Sequence, residues 1–259
     1  MGDVRDEETE QLIRRFVDEL VDVAPVSAVW AHGSLALGDY RQGRSDLDML
    51  AVVESAPDER LRAALCTMHR ALQAELPLAA RLNCSYLVRD ELADPERRHL
   101  TWAHQDLLER PVTPVTRREL LLGGRTLHGE HAEAMVPPVS DQVLAEFIRT
   151  DLREYWLPAT EAWRRWLDDV WVDVGLLTLA RGTTTLRDGR LLTKGQAIPL
   201  LGELGVSAWL VRDIHERRYG KPERLGWGSR RRRAVETRRV MRAGIAAALG
   251  QGVSAGRAG

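Results

Sequence analysis

The chain has 259 residues, 44% of them hydrophobic and 29% charged, with a formal net charge of −1, which excludes a disordered, collagenous or coiled-coil protein. No apolar run reaches the roughly 18 residues of a membrane span, and the acidic start Asp3-Val4-Arg5-Asp6-Glu7-Glu8 lacks the basic-then-apolar order of a secretion signal. Two cysteines, Cys66 and Cys84, make neither a zinc site nor a disulfide framework, so a cytoplasmic protein without a membrane partner is expected.

In chain order, Glu7 to Val21 places Leu12, Ile13, Phe16, Val17, Leu20 and Val21 at helical spacing, and Pro25 closes the segment. Val26 to His32 and Ser45 to Val53 are β-prone runs, Pro57 to Leu76 is helical, and Arg81 to Val88 is a third strand. Leu107-Leu108 and Thr126-Leu127-His128 are candidate edge strands. After Pro137-Pro138 the pattern turns helical, near 140–157, 159–187, 193–204, 206–219 and 229–249, with prolines and glycines between. The predicted class is α+β: a mixed β-sheet flanked by helices over residues 1–136, then an all-α bundle over 137–259. The last ten residues, small and Gly-rich, read as a frayed tail.

Chemistry concentrates in residues 30–50. A strand ends in Gly33-Ser34, a spacer holding Arg41 and Arg44 follows, and Asp46-Leu47-Asp48 enters the next strand. Residues two apart in a strand share a face, about 7 Å apart. Two carboxylates so placed on an apolar strand repel each other and resist burial, and a divalent cation removes that cost. Mg²⁺ suits the donor set, because it takes one or two carboxylates and completes its shell with water and phosphates. Gly33 lets a phosphate approach the backbone, and the Ser34 hydroxyl can donate to it. The parts together describe a nucleoside-triphosphate site.

This block resembles the signature of the DNA polymerase beta-type nucleotidyltransferase superfamily. With the helical second half, it is similar to the aminoglycoside adenylyltransferases that modify streptomycin and spectinomycin. The second half contributes Gly175-Leu176-Leu177-Thr178-Leu179-Ala180-Arg181 and Leu191-Leu192-Thr193-Lys194-Gly195-Gln196-Ala197. The resemblance implies catalytic Asp46 and Asp48 holding Mg²⁺, two ions, with ATP as co-substrate. It further implies Gly33 and Ser34 on the triphosphate, Arg44 neutralising phosphate charge, and Lys194 reaching the phosphates from the helical half.

One position departs from that pattern. Where the family has a third carboxylate acting as general base, this chain aligns Asn83, which cannot accept a proton at neutral pH. Either Glu75, Asp90 or Glu91 serves instead, or catalysis relies on metal and positioning alone.

Between Asp151 and Asp173 stand six carboxylates and four tryptophans, a composition suited to a small cationic acceptor, with Asp169 and Asp173 the chosen contacts. The run Arg230 to Arg233 lies in a segment, Arg212 to Arg242, with twelve basic and four acidic residues. No RNA-binding signature accompanies it, so a nucleic-acid partner is not expected and a monomer is. The activity expected is transfer of AMP from ATP to an acceptor hydroxyl. The alternatives are a nucleotide-binding homologue that has lost the reaction and a transferase acting on a macromolecule.

Overall fold

The structure is a computed structural model that describes residues 4–94 and 96–250. The tail expected at the C-terminus lies outside them from Gln251. The chain divides into two compact units, Met1–Val139 and Ser140–Gly259. No helix among the described residues is long and apolar enough to cross a membrane.

The first unit begins with helix α1 (Val4–Val23), strand β1 (Val26–His32) and the single turn α2 (Gly33–Ala36). Strand β2 (Leu47–Val53) and helix α3 (Glu59–Glu75) follow; Asp58 caps α3 by accepting from Leu61 N. Strands β3 (Leu82–Val88), β4 (Arg98–Ala103) and β5 (Asp106–Pro111) come next. Helix α4 (Pro114–Gly123), strand β6 (Arg125–Gly129) and the short α5 (Ala132–Met135) complete the unit. The sheet order is β5-β4-β3-β2-β1-β6. Only β2 and β3 run parallel; the other neighbours are antiparallel.

Strand alternation sends side chains to two separate cores. On one face Val29, Met49, Ala51, Cys84, Tyr86 and Trp102 pack with Leu12, Phe16 and Leu20 of α1 and Leu65 and Leu72 of α3. On the other, Ala28, Trp30, Leu50, Val52 and Leu87 pack with Leu120 of α4 and Ala132 of α5. The same parity places His32, Asp48 and Asn83 on the second face, at the end of the strands where that apolar core gives way to polar residues.

The sequence reading has no counterpart for β4, α4 or the short α5. Five of the six residues of β4 are buried, the polar His99 and Thr101 among them. Helix α4 announces itself only by its Thr113 cap and Pro114 at the first turn.

Every secondary-structure element among the described residues of the second unit is helical. Helix α6 (Asp141–Asp151) runs through a π-helical turn (Leu152–Trp156) into α7 (Leu157–Ala159). Then come α8 (Asp169–Asp188), α9 (Lys194–Ala197), α10 (Ala208–Tyr219) and α11 (Trp227–Ala248). The single helix expected over 159–187 is broken. Its first part is a loop and a 3₁₀ turn (Trp163–Leu167), and α8 starts afresh where Asp168 accepts from Val170 N. Trp166 is fully buried, which anchors the break against α8.

Candidate active site

Gly33 is where the first strand must turn. Its φ of +62° lies in the left-handed region, and a Cβ there would come within 3.1 Å of Asp48 Oδ2. Glycine is therefore required for conformation and for room. The Ser34 hydroxyl makes no hydrogen bond with any described residue, so it remains available to a ligand. Within the spacer Arg41 N donates to Ser45 Oγ at 2.9 Å, and Arg44 N and Ser45 N both return to Arg41 O. This tight turn delivers the chain to Asp46, one residue before β2.

Asp48 stands at the centre of a row across the sheet. Its antiparallel partner is His32 and its parallel partner is Asn83. Asn83 Nδ2 donates to Asp48 Oδ1 at 3.0 Å. Asp46 is half exposed and lies 3.4 Å from Arg81 Nη1, which also donates to Arg44 O. At this exposure the Asp46–Arg81 ion pair is weak.

Asp46 and Asp48 suit a hard divalent cation. The Oδ2 of Asp48 faces the space a Gly33 Cβ would fill, and the oxygen donors are of the right kind. No group of three or more His, Cys, Asp or Glu side chains converges among the described residues. The remaining ligands would be water and phosphate oxygens, the usual habit of Mg²⁺.

The other candidate bases are placed elsewhere. Asp90 and Glu91 lie in a 3₁₀ turn beyond the far end of β3, whose last residue, Val88, is about 17 Å along the strand from Asn83 at 3.3 Å per residue, and Glu91 pairs with Arg97. Glu75 is held by Arg15 of α1 at 2.6 Å. The sequence reading passed over Glu119 of α4, which is buried with its Oε2 3.9 Å from His32 Nδ1. It also passed over Arg81. Neither adjoins the motif in sequence, and only the packing of α4 and the entry to β3 bring them there.

In the helical unit Lys194 is the first residue of α9, behind a capping box of Thr193 and Gln196. It is exposed, and its side chain makes no hydrogen bond or ion pair with any described residue. Asp169 and Asp173 are both engaged. Arg233 Nη2 meets Asp169 Oδ1 at 2.5 Å, and Arg217 holds Asp173 through Nε at 2.9 Å and Nη2 at 2.6 Å. Asp213 joins the two arginines. Arg233 is fully buried, so the arginine run is partly an internal feature of this unit, with Arg230 Nε donating to Leu167 O.

Comparison with known proteins gives one family match and a structural match. Residues 12–120 match the family model of the nucleotidyltransferase domain. The fold matches the crystal structure of spectinomycin adenyltransferase AAD(9) from Enterococcus faecialis with ATP and spectinomycin, at a TM-score of 0.66 and 13% identity. The match covers 93% of this chain and 98% of that one. No curated protein matches in sequence.

Proposed function

From a chain whose residues 12–120 match the nucleotidyltransferase domain model and whose fold resembles that of an aminoglycoside adenylyltransferase, we propose an Mg²⁺-dependent transfer of AMP. The donor is ATP, the acceptor is a hydroxyl of a small, polar, cationic compound of the aminoglycoside kind, and pyrophosphate leaves. The observation that carries this reading is the approach of Gly33 to Asp48. It puts the glycine that admits a phosphate chain directly against a carboxylate suited to the metal.

Asp46 and Asp48 hold Mg²⁺, which when bound neutralises charge on the α-phosphate and the departing pyrophosphate. Gly33 and the free Ser34 hydroxyl receive the triphosphate oxygens. Arg44 adds positive charge to them. Asn83 fixes the orientation of Asp48 by donating to its Oδ1 and leaves Oδ2 free. Positioning of this kind is itself a large part of phosphoryl-transfer catalysis.

The same hydrogen bond favours a second reading. With its amide turned to Asp48, Asn83 offers the acceptor hydroxyl no base, and loss of a general base typically costs about 10²- to 10⁴-fold in rate. A protein that binds ATP and has given up transfer fits that geometry.

Pyrophosphate release from ATP and Mg²⁺, measured over an acceptor panel including spectinomycin and streptomycin, decides between them. Release with one acceptor, abolished in Asp46→Ala/Asp48→Ala, establishes the transferase. ATP binding with no release across the panel establishes the second reading.

A further inference from the structure

The six carboxylates between Asp151 and Asp173 have different fates. Asp168 caps α8, Asp169 and Asp173 are neutralised by arginines, and Glu161 pairs with Arg242 at 2.6 Å. Glu154 is exposed. Asp151 is the exception: it is half-buried, yet it has no cation among the described residues. Its sequence neighbours Arg149 and Arg153 make no ion pair with it.

The cause of its burial is local. The chain passes from α6 into a π-helical turn, whose i→i+5 hydrogen bonding stacks residues five apart. Asp151 Oδ2 thereby accepts from Trp156 Nε1 at 2.9 Å. The opposite oxygen, Oδ1, accepts nothing from the described residues and is not sealed from solvent. Tyr155 sits edge-on to Trp156 with ring centroids 5.2 Å apart, and it is 45% exposed. Trp156 is fixed from behind by Trp166 and by Gly175, where a Cβ would come within 3.3 Å of its ring.

A half-buried carboxylate without a counter-charge carries an uncompensated desolvation cost. Burial pushes the Asp151 carboxyl above its usual range, with the Trp156 hydrogen bond opposing. An external cation would remove that cost. One carboxylate oxygen pinned by an indole, the other open, and an exposed ring alongside are the components of an ammonium or guanidinium site.

We propose that Asp151, Trp156 and Tyr155 bind a cationic nitrogen of the acceptor, ammonium or guanidinium. That the ligand is the acceptor rests on the transferase reading above. Asp169 and Asp173, already satisfied by Arg233 and Arg217, are secondary to it. Oδ1 of Asp151 accepts from the cation, and Tyr155 covers it.

The test uses the full chain with spectinomycin and streptomycin, both multiply cationic, as probes. The readout is the Trp156 indole N–H resonance, assigned through Trp156→Phe, followed on titration in wild type, Asp151→Asn and Tyr155→Ala. Asparagine keeps an oxygen for the indole and removes only the charge, and Tyr155 is exposed, so both variants retain the fold. The expected result is a moving resonance in the wild type, with affinity at least about tenfold weaker in Asp151→Asn, the scale of a lost charge-assisted hydrogen bond. A resonance unmoved at saturating probe, or wild-type affinity in Asp151→Asn, overturns the site. Pyrophosphate release on the same samples separates the two readings. Release with an unchanged KM for acceptor in Asp151→Asn defeats this site and leaves the transferase standing. Binding with the indole shift and no release defeats the transferase and leaves the site standing.

Discussion

Asn83 donates its side-chain amide to Asp48 Oδ1 at 3.0 Å, from the directly paired position on the neighbouring parallel strand. The amide occupies the place of a group that would repel Asp48 in the absence of metal. Replacing it by a carboxylate puts two negative charges about 3 Å apart, and only a bound cation makes that arrangement favourable. Asn83→Asp is expected to be less stable than wild type in EDTA and to gain more in Tm from added Mg²⁺. Thermal unfolding with and without Mg²⁺ checks this; equal Mg²⁺ shifts in the two proteins would remove Asn83 from the metal's surroundings.

His69 gives the first unit an acid sensitivity. It is 2% exposed, stacks on Trp102 with centroids 4.6 Å apart, and meets Tyr86 Oη at 2.6 Å through Nε2. Burial holds its imidazole down at about 3, against an ordinary 6.5. The unfolded chain therefore takes up a proton that the folded one refuses. Stability is full above pH 6.5 and falls as pH drops from there towards 3, by roughly 1.4 kcal/mol per pH unit. Urea unfolding at pH 6.5 and pH 5 should differ by about 1.6 kcal/mol from this group. His69→Gln should show a slope shallower by one proton; an identical slope would place the sensitivity elsewhere.

The arginine run divides by burial. Arg233 is fully buried and bonds Asp213, Asp169 and Leu167 O, whereas Arg231 is exposed and pairs with no described residue. Truncating one partner of a buried ion pair leaves an uncompensated charge and costs about 3–5 kcal/mol. Arg233→Ala should lose that much by chemical denaturation, and Arg231→Ala should stay within about 0.5 kcal/mol of wild type. A large loss in the second variant would mean the outer face of α11 also has a structural partner.

The two units were legible in the sequence to different depths. The path from β1 through Gly33 and the spacer to Asp48 is local, so spacing alone locates it, and strand parity brings Asp48 to the same face as Asn83. What α4 contributes is not local. Glu119 reaches His32 across more than 80 residues, by a packing no periodicity encodes. In the helical unit, composition pointed to the acidic segment, yet the partners of Asp169 and Asp173 lie 64 and 44 residues away. A carboxylate's availability depends on those partners, so Asp151 emerges only when each charge is paired in space. The π-helical turn that holds it leaves no mark in the sequence, because Leu152 to Trp156 reads as ordinary helix.

Gly175 tests whether the tryptophan cluster is as tightly set as it stands. The residue lies on α8, where a Cβ would come within 2.6 Å of Trp166 Cζ3 and 3.0 Å of Cη2. Trp166 has no room to retreat: it is fully buried, and its Nε1 donates to Ala159 O at 3.3 Å. Helix propensity alone favours alanine over glycine by about 1 kcal/mol, so an open site would make Gly175→Ala stabilising. Overpacking a well-filled core costs about 1–3 kcal/mol, and with the rings of Trp166 and Trp156 both within 3.3 Å of the added Cβ that cost should prevail. The expected outcome is a net loss of stability, with Trp156 displaced and its hydrogen bond to Asp151 lengthened. Tryptophan fluorescence and chemical denaturation of Gly175→Ala read the two effects together. A stabilised variant with unchanged fluorescence would show that Trp166 can yield, and that the indole pinning Asp151 is not held from behind.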